Sequence, residues 1–319
     1  MQDSFGRKME YLRLSVTDRC NLRCQYCMPE SGCEKRAHDS ILRNEDFIKL
    51  VESMADMGVE KVRLTGGEPL VRKGLASMIK GIRDIKGIEE VTLTTNGLLL
   101  EDQLDDLKAS GLSRLNISLD SLNPETYRRL TRGGDLASVL RGIDKALKLD
   151  LKPIKINVVL IKGENDHEFD DFLNAFDPSI EIRFIELMPI GEAASWNKEK
   201  FINLNTFISE REDLIPIAQH GNGGPCRYYK HLPTGRTVGM INPISDHFCD
   251  QCNRLRITSD GILKTCLHDR SEINLRPYLN QPEDLKQIIL NAVAAKPESH
   301  QLNQTNSVPI RRNMYTIGG

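Results

Sequence analysis

The sequence predicts an α/β protein made of parallel strand–helix units, as a barrel or an open doubly wound sheet, followed by a smaller second unit. Three observations predict this. Six short β-type runs occur up to Leu187, and helical-looking segments separate them. Inside those runs apolar and polar residues alternate. From about Asn203 the pattern changes to clusters of Gly, Asn and Pro with short β-type runs between them.

The β-type runs are 12–17, 61–65, 91–95, 114–119, 154–160 and 181–187. Helical segments are expected over 44–57, 74–85, 102–109 and 136–149. In the first run Leu12, Leu14 and Val16 share one face while Arg13, Ser15 and Thr17 share the other. Val62 and Leu64 likewise oppose Arg63 and Thr65, and Ile154, Ile156 and Val158 oppose Lys155 and Asn157. Parallel strands buried on both faces read as nearly continuous apolar runs. These do not, so one face should line a polar cavity while the helices cover the other. Arg13, Arg63, Thr94, Ser118 and Lys155 would then share one lumen. The division expected is 1–202 for the strand–helix unit and 203–319 for the second. In the latter, Pro282 and Glu283 open a helix to about Ala295 that presents Leu285, Ile288, Ile289 and Val293 on one face.

The chain has 319 residues, with 43 Lys and Arg against 45 Asp and Glu, so no global field attracts nucleic acid or a membrane. Any anionic ligand must be caught by locally placed basic residues. No apolar run is long enough to cross a bilayer, and the first ten residues are too polar for a secretory signal. Six of the eight cysteines fall in two tight triplets, which fits metal ligation in a reducing cytoplasm better than disulfides.

Cys20, Cys24 and Cys27 form the first triplet, in CNLRCQYC. Three thiolates in one short loop with no fourth nearby suit a cubane iron–sulfur cluster that keeps one iron open. An open iron suggests radical chemistry started from S-adenosylmethionine. The competing reading, a zinc site completed by a distant histidine, usually pairs cysteines as C-x2-C on both sides of a loop. Gly66, Gly67, Glu68 and Pro69 follow the second strand directly, where glycines allow close approach to the backbone and a carboxylate can hold an ammonium. The second triplet, Cys249, Cys252 and Cys266, is flanked by His247 and His268, and its spacing alone fits zinc and a cluster equally. Arg254 and Arg256 follow it two apart, so in an extended stretch both forks point one way and suit phosphate oxygens. There is no Walker-type phosphate loop. Cys33 and Cys226 are left without a role, and the tail RRNMYTIGG ends in Gly318 and Gly319.

CNLRCQYC, the GGEP turn, FCDQCNRLRITSDG with LKTCL, and the closing double glycine together resemble the GTP 3′,8-cyclase family (molybdenum cofactor biosynthesis protein A) of the radical S-adenosylmethionine superfamily. The resemblance runs from Tyr11 to the end and is weakest from Ser31 to Asp46. It implies a partial (β/α)6 TIM-like barrel with a C-terminal cluster domain, two [4Fe-4S] clusters, and S-adenosyl-L-methionine. Tyr26, Met28, Gly67, Ser118 and Met188 would contact that cofactor. Arg13, Arg63, Thr94, Lys155, Arg254 and Arg256 would contact GTP, and Gly318 and Gly319 would enter the active site, since only glycine lacks a side chain to block entry. The implied reaction is removal of the 3′ hydrogen of GTP by a 5′-deoxyadenosyl radical, giving 3′,8-cyclo-7,8-dihydro-GTP. Implied partners are an external electron donor and a hand-off to cyclic pyranopterin monophosphate synthase, with the chain a monomer or homodimer. Two rival readings are a peptide-modifying radical maturase with an auxiliary cluster and a zinc-stabilised nucleotide-binding protein.

Overall fold

The chain opens with strand β1 (Tyr11–Ser15), α1 (Asn44–Ala55), β2 (Lys61–Thr65), α2 (Leu75–Arg83), β3 (Glu90–Thr95) and α3 (Leu100–Ala109). It continues through β4 (Arg114–Ser118), α4 (Pro124–Thr131), α5 (Leu136–Lys148), β5 (Ile154–Leu160), α6 (Phe169–Ala175) and β6 (Glu181–Glu186). Then follow α7 (Asn197–Lys200), α8 (Leu204–Ser209), β7 (Leu214–Ile217), β8 (Cys226–His231), β9 (Thr237–Ile241), β10 (Arg254–Ile257), β11 (Ile262–Lys264), β12 (Ile273–Asn274), α9 (Pro282–Ala294) and α10 (Met314–Ile317). The structure, a computed structural model, describes residues 1–33, 36–218, 224–300 and 312–318; Gly319 and Arg311 lie outside them.

The local chemistry explains the boundaries. Asp135 caps α5 by accepting from the amides of Ala137 and Ser138, and Leu136, Val139, Ile143 and Ala146 form its buried face. Asn123 caps α4 in the same way, with Pro124 in the first turn. Helices α4 and α6 were not marked in the sequence, although the Asn123–Pro124 pair is a helix-start signal. In α9, Leu285, Ile289, Ala292 and Val293 are buried, so Ala292 joins the expected face and Ile288 sits at its edge.

All strands join one 12-stranded sheet in the order β12-β11-β10-β1-β2-β3-β4-β5-β6-β9-β8-β7. β1 to β6 are parallel and, with their helices, make the partial (β/α)6 barrel. The later strands extend it at both edges: β10 pairs parallel with β1, and β9 pairs parallel with β6. The alternation works as expected on the helix side, where Leu12, Leu14, Val62, Leu64, Val91, Leu93, Leu115 and Ile117 are fully buried. On the other face the register sets Arg256, Arg13 and Arg63 side by side across β10, β1 and β2.

Arg236, just before β9, locks the joint between β6 and this extension. Its guanidinium donates to the carbonyls of Leu173, Phe176, Asp177 and Ile180, at the end of α6 and the entry to β6. The side chain is buried, so removing it strands those acceptors. Arg236→Met is expected to lower unfolding free energy by about 3 kcal/mol, read as a reduced denaturant midpoint.

Candidate functional site

One cavity of about 580 Å³ occupies the concave side of the sheet. Arg13, Arg63, Thr94, Ser118 and Lys155 line it together, as the strand alternation required. So do Tyr26, Gly67, Met188, Arg254, Arg256 and all six cysteines of the two triplets. Residues nearly the whole chain apart thus face one volume. Met28 is buried but does not line it.

The first triplet lies in the loop after β1. Burial is the largest influence on its thiols and pushes Cys20 up to about 11 and Cys27 to about 12, with Cys24 raised as well. Neighbouring cysteines, Glu68 and Asp120 push the same way. Such a set carries thiolates only around a strongly positive centre. The second triplet differs. Burial raises Cys249, whereas at Cys252 the charges of Lys296 and Arg254 outweigh burial and lower it.

The sulfur spacing tests which centre fits. A tetrahedral zinc holds its sulfurs about 3.8 Å apart. Among the described residues, the one group of three or more His, Cys, Asp or Glu with all ligand atoms within 4.8 Å of one another is Asp170, Asp213 and His231. Neither cysteine triplet is that tight, so neither forms a closed zinc-like site as it stands, and each offers three thiols to a cluster with one open iron. His247 and His268, the candidates to complete a zinc site, pack edge-on against His300, at 5.0 and 4.7 Å between ring centroids.

Beside the first triplet the GGEP turn is packed to its limit. A Cβ on Gly66 would lie 2.3 Å from the Thr17 carbonyl oxygen, and one on Gly67 2.4 Å from that of Arg19. Glu68 lines the cavity. It accepts from the amides of Leu70 and Asn96 and from Thr95 Oγ1, and burial lifts it to about 7. Asp120, to which the sequence reading gives no role, accepts from Tyr26 Oη at 2.6 Å and so orients the ring that faces the cavity.

The opposite half of the wall is basic. Arg114 pairs with Glu90, and Lys155 and Arg183 both pair with Glu181. Arg13, Arg63, Arg254 and Arg256 form no ion pair with a carboxylate among the described residues; Arg63 instead meets Thr92 Oγ1, the Tyr11 ring and, with the Asn116 amide turned to suit, its oxygen at 3.0 Å. Burial and mutual repulsion depress Arg63 to about 9 and Arg254 to about 10, and depress Arg256 strongly. Burial alone would raise the Tyr11 phenol, but Arg63, Arg13 and Arg254 bring it down to about 8. Tyr11 and Arg183 were also missed; both sit on strands, and Arg183 pairs in register with Asn157 of the polar face.

The tail reaches this wall. Arg256 Nη1 donates to the Gly318 carbonyl, and a Cβ on Gly318 would lie 2.4 Å from Thr65 Cγ2 at a φ of +73°. Upstream, Arg312 pairs with Asp260 and Glu272, and Asp260 also holds Arg36. Gly319 is outside the described residues. Cys226, set aside in the sequence, is buried and lines the cavity.

The family model "Radical SAM superfamily" matches residues 14–176, and "Molybdenum Cofactor Synthesis C" matches 180–302. A protein of Alkaliphilus metalliredigens named GTP 3′,8-cyclase is 49% identical over 321 residues, covering 100% of both chains. The chain belongs to the GTP 3′,8-cyclase family. Cyclase relatives from Alkaliphilus oremlandii and Clostridium botulinum are 47% and 45% identical, each over 100% of both chains. Among solved structures, Streptococcus suis SuiB bound to precursor peptide SuiA matches with a TM-score of 0.62 at 16% identity, over 96% of this chain and 76% of that one. That likeness shows the barrel fold alone.

Anaerobic reconstitution is expected to give about eight irons per chain, falling to about four when Cys249, Cys252 and Cys266 are changed to Ala. Metal analysis is expected to find no stoichiometric zinc.

Proposed function

We propose that this chain converts GTP to 3′,8-cyclo-7,8-dihydro-GTP, the first step of molybdenum cofactor biosynthesis. The observation that carries the reading is a single cavity combining two open cysteine triplets with four arginines that have no carboxylate partner among the described residues. Such a wall fits a nucleoside triphosphate, whose charge would relieve the repulsion among Arg13, Arg63, Arg254 and Arg256.

The cofactors are two [4Fe-4S] clusters and S-adenosylmethionine; with one electron from an external donor, the first cluster and S-adenosylmethionine would supply a 5′-deoxyadenosyl radical able to take the 3′ hydrogen of GTP. Cys20, Cys24 and Cys27 would hold the first cluster, and Cys249, Cys252 and Cys266 the second. Tyr26, Gly67, Ser118 and Met188 would bind S-adenosylmethionine, with Asp120 fixing the Tyr26 ring. The protein's remaining work is positioning, because so reactive a species must meet one hydrogen and no other. Arg13, Arg63, Lys155, Arg254 and Arg256 would grip the triphosphate while Thr94 hydrogen-bonds to the nucleotide. Glu181 would keep Lys155 and Arg183 aimed inward. Gly318, with Gly319 beyond it, would close the cavity alongside Thr65.

In this reading residues 1–202 form the barrel unit and 203–319 the auxiliary-cluster unit. An external donor supplies the electron, and the product passes to cyclic pyranopterin monophosphate synthase. We take the chain as a cytoplasmic monomer or homodimer that uses neither nucleic acid nor a membrane. No helix among the described residues is long and apolar enough to cross a bilayer.

The test is anaerobic turnover of GTP with S-adenosylmethionine and dithionite, scoring the cyclised nucleotide and 5′-deoxyadenosine. Deoxyadenosine formed without any change to GTP would reject the substrate. Arg13→Met is expected to raise the KM for GTP about 10–100-fold, the loss of one charged contact, with iron content unchanged. The Tyr11 phenol, neutral below about 8 and anionic above, would repel a polyanion once ionised. GTP affinity should therefore fall as pH rises through and beyond 8, and Tyr11→Phe should flatten that fall in an equilibrium binding titration.

A further inference from the structure

Lys296 is an unexplained buried cation. It follows the end of α9, is 3% exposed, and forms no ion pair with a carboxylate among the described residues. A buried ammonium without an anion is costly unless something nearby compensates it. Its Nζ lies 3.7 Å from Cys252 Sγ and 3.1 Å from the Arg254 carbonyl oxygen, and it also donates to the Thr265 carbonyl. Two of those acceptors belong to the segment carrying Cys252, and the third is the residue before Cys266. One side chain therefore clips together the two pieces of chain that bring those cysteines to the cavity.

The rest of the segment behaves alike. The His300 backbone hydrogen-bonds to the Cys249 thiol. Arg7, tied to Asp3, donates to the carbonyls of Cys249, Pro297 and Glu298. Residues 296–300 thus reach Cys249 and Cys252 directly, and the Cys266 segment through the Thr265 carbonyl. Around the first triplet no Lys or Arg donates to a cysteine sulfur among the described residues; its sulfur-directed donors include the Leu22 amide, Asn96 and, at Cys27, the Tyr315 backbone.

We propose that Lys296 is a positioning residue of the second iron–sulfur site, holding the Cys252 and Cys266 segments in place and placing a positive charge against the Cys252 sulfur that makes this centre easier to reduce. The proposal rests on the two-cluster reading. Hydrogen bonds and charge beside cluster sulfurs are known levers on reduction potential, so the effect has a direct physical route.

The test isolates the second centre in the full chain by changing Cys20, Cys24 and Cys27 to Ala. Lys296→Gln then keeps a donor and removes the charge, while Lys296→Arg keeps the charge. Iron is counted, and the midpoint potential is measured by redox titration followed by electron paramagnetic resonance. The expected result is about four irons in the Lys296 parent, a more negative midpoint in Lys296→Gln, and a midpoint near the parent's in Lys296→Arg. Loss of iron in Lys296→Gln but not in Lys296→Arg would support the proposal equally. An unmoved midpoint with iron retained in Lys296→Gln would overturn it, as would equal loss of iron in both variants, since shape rather than charge would then be the requirement. A parent without iron would instead reject the two-cluster reading, and the proposal with it.

Discussion

The arrangement depends on one electrostatic constraint: three arginines set in register on neighbouring strands, facing one cavity and without carboxylate partners among the described residues. Arg256, Arg13 and Arg63 occupy adjacent positions on β10, β1 and β2, and Arg254 stands next to them. Like charges placed laterally in a sheet oppose its formation, and burial makes their repulsion stronger. The sheet tolerates them because its other face is continuous hydrocarbon against the helices. The resulting positive potential is a standing demand for a polyanion. Elsewhere on the wall the demand is already met, by Glu90 at Arg114 and Glu181 at Lys155 and Arg183.

A second consequence follows from where β10 lies. By pairing parallel with β1, it brings the second cysteine triplet to the same cavity as the loop after β1. Two sites of similar composition thereby meet different surroundings. Carboxylates and burial dominate around Cys20, Cys24 and Cys27, whereas basic side chains crowd Cys252. Glu68 illustrates how tightly this end is built, for both of its oxygens accept hydrogen bonds that join the turn after β2 to the end of β3.

Much of the site was legible because period-two alternation in a parallel strand has one reading once helices cover one side. Arg13, Arg63, Thr94, Ser118 and Lys155 fall together on that argument alone. The cysteine triplets were legible because metal ligation imposes a short, fixed spacing. Other participants left weaker traces. Arg183 follows the same alternation on β6, yet a single arginine in an amphipathic strand carries no special mark. Tyr11 and Asp120 sit at strand ends, where parity is least certain. Lys296 lies beyond a helix and far along the chain from the cysteines, so nothing local connects it to them.

The sequence by itself determined the parallel strand–helix units, the polar lumen and the two clustered sets of thiols, because each rests on short-range periodicity or spacing. It left zinc and a cluster equally open at the second triplet on spacing alone. Tertiary structure decided that both sheet edges are extended by the later strands, that the triplets share one cavity, and which arginines meet a carboxylate among the described residues. It also brought the tail carbonyl of Gly318 to Arg256. These outcomes depend on pairings between residues hundreds of positions apart, which are chosen by the packing of the whole sheet and not by any local pattern.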